Sequence, residues 1–373
     1  MAGARIRVLV CDDSVVIRRL VSEVLSSDPD IEVVGTAVNG KHALDNLERL
    51  KPDVMILDVE MPIMDGLQTL IEVRRVDRTL PIIMFSTLTE RGAGATLDAL
   101  ERGASDYVTK PSNVASVSES MAAVRSQLIP RIKSLTGRLP RPVRTAGPAN
   151  PDVFLPQAPA SASSRVDIVC IGVSTGGPDA LTQLIPRLPT DFPVPLIVTQ
   201  HMPPVFTQLF AQRLNAKSRL KVSEATDGDA VRAGRVLIAP GDFHMRLVNC
   251  ANGPVVRLDQ GPQENYCRPA VDAMFRSVPT CYQGRALAVI MTGMGSDGVK
   301  GAEHIVHAGG SLIVQDEKTS VVWGMPGAAV AAGLPGVVVP LPALADTILS
   351  RVQGGRAGSA RSPGSSTSRR VAG

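Results

Sequence analysis

Residues 6–13 read IRVLVCDD, an apolar run that ends abruptly in two aspartates. Similar runs recur in the first third of the chain and predict strands at Ile6–Cys11, Glu32–Ala37, Val54–Leu57, Ile82–Phe85 and Asp106–Val108. Amphipathic stretches between them predict helices at Val15–Leu25, His42–Leu50, Gly66–Arg75 and Ala93–Arg102. This alternation predicts an α/β unit, with five parallel strands in a doubly wound sheet.

Carboxylates follow two of the predicted strands. Asp12 and Asp13 end the first strand, and Asp58 ends the third. The carboxyl ends of parallel strands share one edge of the sheet, so the three side chains are expected to meet there. Three neighbouring carboxylates repel one another unless a cation joins them, and Mg²⁺ prefers oxygen ligands. We therefore predict a magnesium site formed by these residues.

A hydroxyl and an ammonium group complete this edge. Ser86 follows the fourth strand and Lys110 the fifth. Together with the metal they would hold a phosphoryl group on one carboxylate, and Asp58, alone on its strand, is the expected nucleophile. A flavin phosphate is the alternative ligand, but three acids without a glycine-rich cradle disfavour it.

With these features, residues 5–123 resemble the receiver domain of bacterial response regulators. The resemblance implies a flavodoxin-like fold and phosphorylation of Asp58 by a histidine kinase with Mg²⁺ as cofactor. It also implies a phosphoryl switch made of Ser86, Lys110 and Tyr107. The residues that carry it are Asp12, Asp13, Asp58, Met61, Pro62, Met64, Asp65, Gly66, Ser86, Tyr107, Lys110 and Pro111.

The composition disfavours several classes of protein, namely nucleic-acid-binding, membrane-spanning and secreted proteins. The net charge of +4 and the aromatic content of 3% disfavour nucleic-acid binding. No segment approaches the roughly 18 apolar residues of a membrane span. The first apolar run meets Asp12 too early for a signal peptide. Five cysteines without paired spacing predict reduced, mostly buried thiols. We expect a cytoplasmic protein, monomeric and not integral to the membrane.

A change in composition divides the chain. Residues 139–165 are rich in Pro, Ala, Ser and Arg without apolar periodicity. We predict a flexible linker over 124–164, a second domain over 165–352 and a disordered tail over 353–373.

A candidate nucleophile opens the second domain. An apolar run, Val166–Val173, leads into Gly172–Pro178, which has the pattern G-x-S-x-G between a strand and a helix. Glycines on both sides of Ser174 permit a sharp turn that exposes its hydroxyl. Glycine-rich turns of this kind also bind phosphate, so the motif alone leaves both functions open.

A base and an acid follow at comparable positions. His201 follows the predicted strand Leu196–Thr199, whereas His244 lies in a turn-like segment. Asp297 follows the strand Leu287–Met291 and is the candidate for orienting the imidazole. The remaining histidines are His42 in the first domain and His304 and His307 on a predicted helix. The chain order Ser–His–Asp differs from that of α/β-hydrolases, so a fold other than theirs is expected.

The loop around Asp297 supports a rival interpretation. Gly293, Gly295 and Gly298 satisfy the dinucleotide fingerprint G-x-G-x-x-G, and Asp316 has the spacing of a ribose-binding acid. Asp297 inside the loop would face the pyrophosphate, however, and little chain remains for a second nucleotide-binding half.

Residues 165–350 resemble the catalytic domain of the chemotaxis protein-glutamate methylesterases, the CheB family. The resemblance rests on residues 171–178, 200–203, 238–244, 268–272, 291–298 and 324–326, and on a receiver ahead of this domain. It implies Ser174 as nucleophile, His201 as base, Asp297 as orienting acid and the Met294 N–H as oxyanion donor. The implied substrates are methyl esters, and also glutamines, on cytoplasmic chemoreceptor helices, hydrolysed without a metal. We expect the unmodified receiver to cover the Ser174 edge.

Overall fold

The structure is a computed structural model that describes residues 4–111, 116–138 and 165–359. Two separate parallel sheets organise these residues, and a two-stranded antiparallel hairpin is added to the second. The expected receiver and catalytic units therefore each have a sheet of their own.

The first unit has five strands in the order β2-β1-β3-β4-β5, all parallel, which confirms the predicted fold. The strands are β1 Ile6–Cys11, β2 Ile31–Ala37, β3 Val54–Asp58, β4 Ile82–Ser86 and β5 Asp106–Thr109. The helices are α1 Val15–Ser26, α2 Gly40–Leu50, α3 Gly66–Val76, α4 Glu90–Glu101 and α5 Val117–Leu135.

Side-chain caps fix where these helices begin. Ser14, Asn39 and Thr89 each accept a hydrogen bond from a backbone N–H in the first turn of the following helix. Asp65 and Gln68 form a reciprocal capping box at the start of α3. The chain therefore leaves β1, β2, β3 and β4 through loops that end at a capping residue.

The second unit has a seven-stranded parallel sheet in the order β14-β13-β12-β6-β7-β9-β8. Its strands are β6 Ile168–Val173, β7 Leu196–Gln200, β8 Lys221–Glu224, β9 Arg235–Ile238, β12 Ala286–Ile290, β13 Ser311–Gln315 and β14 Val337–Val339. The hairpin is β10 His244–Cys250 and β11 Gly253–Asp259. The helices are α6 Gly177–Leu184, α7 Phe206–Lys217, α8 Val271–Tyr282, α9 Val299–His307, α10 Met325–Ala331 and α11 Leu341–Ser359, with a 3₁₀ turn at Ile185–Arg187.

The direction in which the chain adds strands to this sheet changes at β6. From β6 the chain builds β7, β8 and β9 on one side, and it later returns to build β12, β13 and β14 on the other. Such a reversal leaves a crevice at the carboxyl ends of the strands beside it, where ligands bind in doubly wound folds. The strands that border it are β6, β7 and β12.

Helices extend past two expected domain boundaries. α5 continues to Leu135, so the linker predicted from residue 124 starts too early: Val124, Leu128 and Ile132 recur at helical spacing and are buried in the first unit's core. α11 continues to Ser359 rather than ending at 352. The remainder of the predicted linker and tail, residues 139–164 and 360–373, lies outside the described residues.

The two units pack against each other through the α4–β5 face of the first. The rings of Tyr107 and Phe206 stack with centroids 4.8 Å apart. Arg213 on α7 pairs with Asp98 on α4 at 2.6 Å and donates to the Gly94 carbonyl at 2.9 Å. One cluster of buried apolar side chains continues across this contact. The receiver is therefore docked on α6 and α7, which follow two strands of the crevice.

Thiol burial differs from the expectation. Cys11 and Cys170 are buried, but Cys250 is exposed and Cys267 and Cys281 are partly exposed. Cys250 ends β10 next to the hairpin turn, where Asn249 and Cys250 are both exposed. Across the described ranges, no helix is both long and apolar enough to cross a bilayer.

Candidate functional site

Ser174, His201 and Asp297 lie at the crevice, after β6, β7 and β12 respectively. The Ser174 N–H donates to the Thr292 carbonyl at 3.0 Å, and the His201 N–H donates to the Val173 carbonyl at 3.2 Å. These backbone bonds hold the three strand ends side by side. The structure thus brings the three predicted residues to one edge.

Asp297 is the acid that contacts the histidine. Its Oδ2 lies 2.7 Å from Nε2 of His201, and its side chain is 2% exposed. It also accepts backbone N–H bonds from Val271 at 2.7 Å and Asp272 at 3.0 Å, at the start of α8. Burial alone would raise the pKa of Asp297, but the bond to His201 and these N–H groups lower it. The carboxylate is therefore ionised and fixed in place.

The other nitrogen of His201 faces a residue without a predicted role. Nδ1 lies 3.5 Å from Sγ of Cys267. Within the described part of the chain, no hydrogen bond joins the Ser174 hydroxyl to His201. Because Nε2 is bonded to Asp297, Nδ1 is the ring nitrogen that has no bond to a carboxylate. In this conformation Nδ1 contacts the Cys267 thiol instead of the Ser174 hydroxyl.

Two neighbours change the proton affinity of His201. Burial opposes the charged imidazolium, but contact with the Cys267 sulfur and the Asp297 carboxylate more than offsets burial and raises the pKa of His201 to about 10. The environment therefore favours the imidazolium form of His201.

The loop after β12 lies against Ser174. A Cβ on Gly293 would lie 2.8 Å from Cβ of Ser174 and 2.4 Å from the sulfur of Met325, so only glycine fits there. The next residue, Met294, has no backbone N–H bond to any acceptor in the described ranges. A free N–H close to Ser174 fits the predicted oxyanion donor, and both roles stay predictions.

The dinucleotide interpretation of this loop has no support from the side chains around it. Asp297 turns away to bind His201 and α8, and Asp316 accepts bonds from the backbone and hydroxyl of Thr319.

His244 also differs from its expected place in a turn. It begins β10, is fully buried, and its ring bonds the Pro262 carbonyl at 2.9 Å and the Ala270 N–H at 3.2 Å, which is a structural role.

The receiver edge has the predicted set of groups. Asp12, Asp13 and Asp58 place one oxygen each within 4.8 Å of one another. Lys110 Nζ lies 2.8 Å from Oδ2 of Asp12 and 2.8 Å from Oδ2 of Asp58. A pocket of about 250 Å³ is lined by Asp13, Asp58, Val59, Glu60, Ser86, Thr87 and Lys110. This set of three carboxylates fits a hard cation such as Mg²⁺.

Burial dominates the electrostatics of this pocket. It raises the pKa of Asp58 to about 6, assisted by the Asp12 carboxylate and opposed by Lys110. Burial would lower the pKa of Lys110, but its bonds to the two aspartates raise it. Tyr107 lies outside the pocket, stacked on Phe206, so this predicted switch residue directly contacts the second unit.

Sequence reasoning missed several residues around the catalytic centre. Asn265 donates to Asp297 and Asp272, and Cys267 contacts His201. Thr175 donates from its hydroxyl to the receiver's Asp106 at 2.7 Å. Asp272 lies in residues 268–272, one of the segments on which the resemblance to the CheB family rests. Cys267 lies in a loop without apolar periodicity, so no sequence pattern indicated its contact with His201.

Comparison with known proteins agrees with this geometry. Residues 169–348 match the family described as CheB methylesterase, and residues 8–122 match the response regulator receiver domain. A protein-glutamate methylesterase/protein-glutamine glutaminase from Nocardioides sp. (strain JS614) is 54% identical over 352 residues, covering 93% of this chain and 95% of that protein. The chain belongs to the CheB methylesterase family.

Two further relatives of this CheB-family chain cover different parts of it. A protein of the same description from Trichodesmium erythraeum is 45% identical and covers 93% of this chain and 99% of its own. The crystal structure of the Thermotoga maritima CheB methylesterase catalytic domain is 43% identical, covers 50% of this chain and 98% of its own, and has a TM-score of 0.49. The expected family is confirmed.

Proposed function

We propose that the chain is a phosphorylation-activated serine esterase that hydrolyses glutamate methyl esters on cytoplasmic chemoreceptor helices and deamidates receptor glutamines. The observation that carries this proposal is the 2.7 Å bond between Asp297 and His201 at the sheet edge that also holds Ser174. Relatives at 54% and 45% identity have both activities in their names, which supports the same chemistry here.

The reaction needs two acyl transfers. His201 Nδ1 takes the proton of Ser174 as its oxygen attacks the ester carbonyl, and the Met294 N–H stabilises the oxyanion. The imidazolium then gives its proton to the departing methoxide, and methanol leaves. Water, deprotonated by His201, attacks the acyl-enzyme and releases glutamate and the free serine. With a glutamine the same steps release ammonia.

Ser174 must turn toward Nδ1 before this sequence begins. The imidazole is already held by Asp297 through Nε2, so the tautomer with an unprotonated Nδ1 is the one that the acid favours. The bond to Asp297 thus already orients the imidazole, and in this proposal the Ser174 hydroxyl still has to reach Nδ1, which here contacts the Cys267 sulfur.

In this proposal the docked receiver inhibits the esterase until it is phosphorylated. The Asp106 carboxylate takes a bond from Thr175, the residue after the nucleophile, and is itself paired with Arg131 at 3.0 Å. Docking by α4 and β5 therefore reaches the Ser174 loop and would obstruct a large substrate. Phosphorylation of Asp58 by a histidine kinase, with Mg²⁺ held by Asp12, Asp13 and Asp58, would weaken this docking through Tyr107.

Methanol release from methylated receptors tests the proposal. The full chain should release methanol, with a higher rate when Asp58 is phosphorylated, and Ser174→Ala should release none. Activity that survives Ser174→Ala would rule out this nucleophile. Hydrolysis of other esters without any action on receptors would assign the centre to a different pathway.

A further inference from the structure

A tight turn next to the catalytic base presents an aromatic side chain to solvent. Glu264 and Cys267 pair through two backbone hydrogen bonds of 3.1 and 2.8 Å, which leaves Asn265 and Tyr266 as the turn residues. Their φ angles are +51° and +62°, a region that favours glycine, and such turns usually carry Asn-Gly. Tyr266 is therefore held in a strained conformation, and its side chain is 97% exposed.

The residues around Tyr266 are all fixed to the catalytic centre or its support. Asn265 donates to Asp297 and to Asp272, both at 2.9 Å. Cys267 contacts His201, and Glu264 binds Arg276 through both carboxylate oxygens at 2.6 and 2.7 Å. A rigid turn thus carries one exposed ring beside the His201–Asp297 pair, where hydrophobic packing gives no reason for a tyrosine.

A second exposed apolar side chain lies beside the nucleophile. Val321 is 46% exposed, and its Cβ lies 2.6 Å from where a Cβ on Gly176 would be. Its neighbour Val322 is bonded through Thr292 to the carbonyl of Thr175. Over residues 165–354, where exposure is described, Tyr266 and Val321 are the exposed large hydrophobic side chains. Both therefore flank the catalytic centre, one beside its base and one beside its nucleophile.

We propose that Tyr266 and Val321 are specificity-determining residues that grip the substrate helix on either side of the esterified glutamate. This inference rests on the proposed function. On a helix, residues three or four positions before and after the glutamate lie on the same face, about 6 Å away. Apolar or small side chains at those positions would pack on the two exposed groups while the ester enters between them.

The receiver leaves the tyrosine accessible. Its polar and ring contacts include Thr175, Phe206, Arg213 and Lys217. Tyr266 remains almost fully exposed with the receiver docked. The two groups would act on binding of a helical substrate and not on the chemical step, because neither touches the reacting atoms.

Kinetics on two substrates test this proposal with the full chain. The first is methylated receptor in membrane vesicles, and the second is the γ-methyl ester of N-acetylglutamate amide, which lacks a helix. Tyr266→Gly should raise KM for the receptor about tenfold and Val321→Thr about threefold, with kcat changed less than about twofold. Neither should raise KM for the small ester. Val76→Thr, a matched change at a 74% exposed valine on α3, should alter neither substrate's kinetics.

A raised KM in Tyr266→Gly cannot be explained by loss of folding. Glycine relieves the left-handed conformation at position 266, so Tyr266→Gly should unfold at no lower temperature than the unsubstituted chain. An unchanged receptor KM in Tyr266→Gly, or an equal loss on both substrates, overturns the inference. If the unsubstituted chain hydrolyses the small ester but not the receptor, the proposed function fails instead, and the receptor helix is excluded as the occupant.

Discussion

Asp297 caps the first turn of α8, and Asp272 on α8 in turn caps the first turn of α9. Asp297 accepts the N–H groups of Val271 and Asp272 at the start of α8, and Asp272 accepts those of Gly298 and Gly301 at the start of α9. Helix N-termini carry partial positive charge, so each carboxylate is stabilised where it lies. Asp297, which contacts His201, lies in the loop before α9 and is held there by the first turn of α8.

Replacement of Asp297 should remove catalysis with a limited effect on folding. In Asp297→Asn the amide no longer stabilises an imidazolium at His201, so we expect kcat to fall by about a thousandfold or more. The lost charge at the start of α8 should cost about 1 kcal/mol of the free energy of unfolding. Methanol release and urea denaturation measure the two effects.

Asp272→Asn is the matched control for that substitution. It removes a carboxylate that also caps a helix but does not contact His201. Burial and the neighbouring Asp297 charge already raise the pKa of Asp272. We expect a similar loss of stability, about 1 kcal/mol, but a fall in kcat of less than about tenfold. Equal losses of activity in both variants would contradict the assignment of Asp297 as the orienting acid.

The Cys267 thiol should control the pH dependence of the esterase. A base must be unprotonated to accept the proton of Ser174, and the pKa of His201 is raised to about 10. We therefore expect kcat/KM to rise with pH through neutrality into the alkaline range. The sulfur contributes to the raised pKa, so Cys267→Ala should move the rising limb to lower pH. A limb that stays in place would show that the thiol does not act on the base.

Phosphorylation of the receiver should depend on a divalent cation. A small acyl phosphate should label the full chain in the presence of Mg²⁺, and chelation of the metal should abolish labelling. Asp58→Asn should accept no phosphate, because the nucleophilic oxygen is replaced by an amide nitrogen. Asp45→Asn is the control, since that exposed residue on α2 lies outside the pocket. Labelling of Asp58→Asn would move the acceptor to another residue.

Much of both sites could be predicted because functional residues in parallel sheets directly follow buried apolar runs. Asp58, Ser174 and His201 each lie at the end of such a run, so their position followed from periodicity alone. Cys267 could not be predicted in the same way. It contacts a residue 66 positions away through a turn that has no apolar pattern.

The contact between the units also left no trace in local periodicity. Tyr107 was predicted as a switch residue, but its partner Phe206 lies on a helix of the other sheet. Burial of α5 against the receiver was missed for a different reason. Val124, Leu128 and Ile132 do recur at helical spacing, but Pro130 and several polar residues lie between them and make the segment resemble a linker until its packing is known.

Weakening the contact between the units should activate the unphosphorylated enzyme. Arg213 joins α7 to α4 through Asp98 and the Gly94 carbonyl, and it does not touch the catalytic centre. Arg213→Met should loosen the docked receiver by about 1 kcal/mol, so we expect methanol release without phosphate to rise several-fold. Full activity after phosphorylation should stay the same, because the receiver has then already left. Arg257→Met, which breaks an exposed pair with Asp227 away from the receiver, is the control. An unphosphorylated rate that does not rise in Arg213→Met would show that docking through this face does not restrain the esterase.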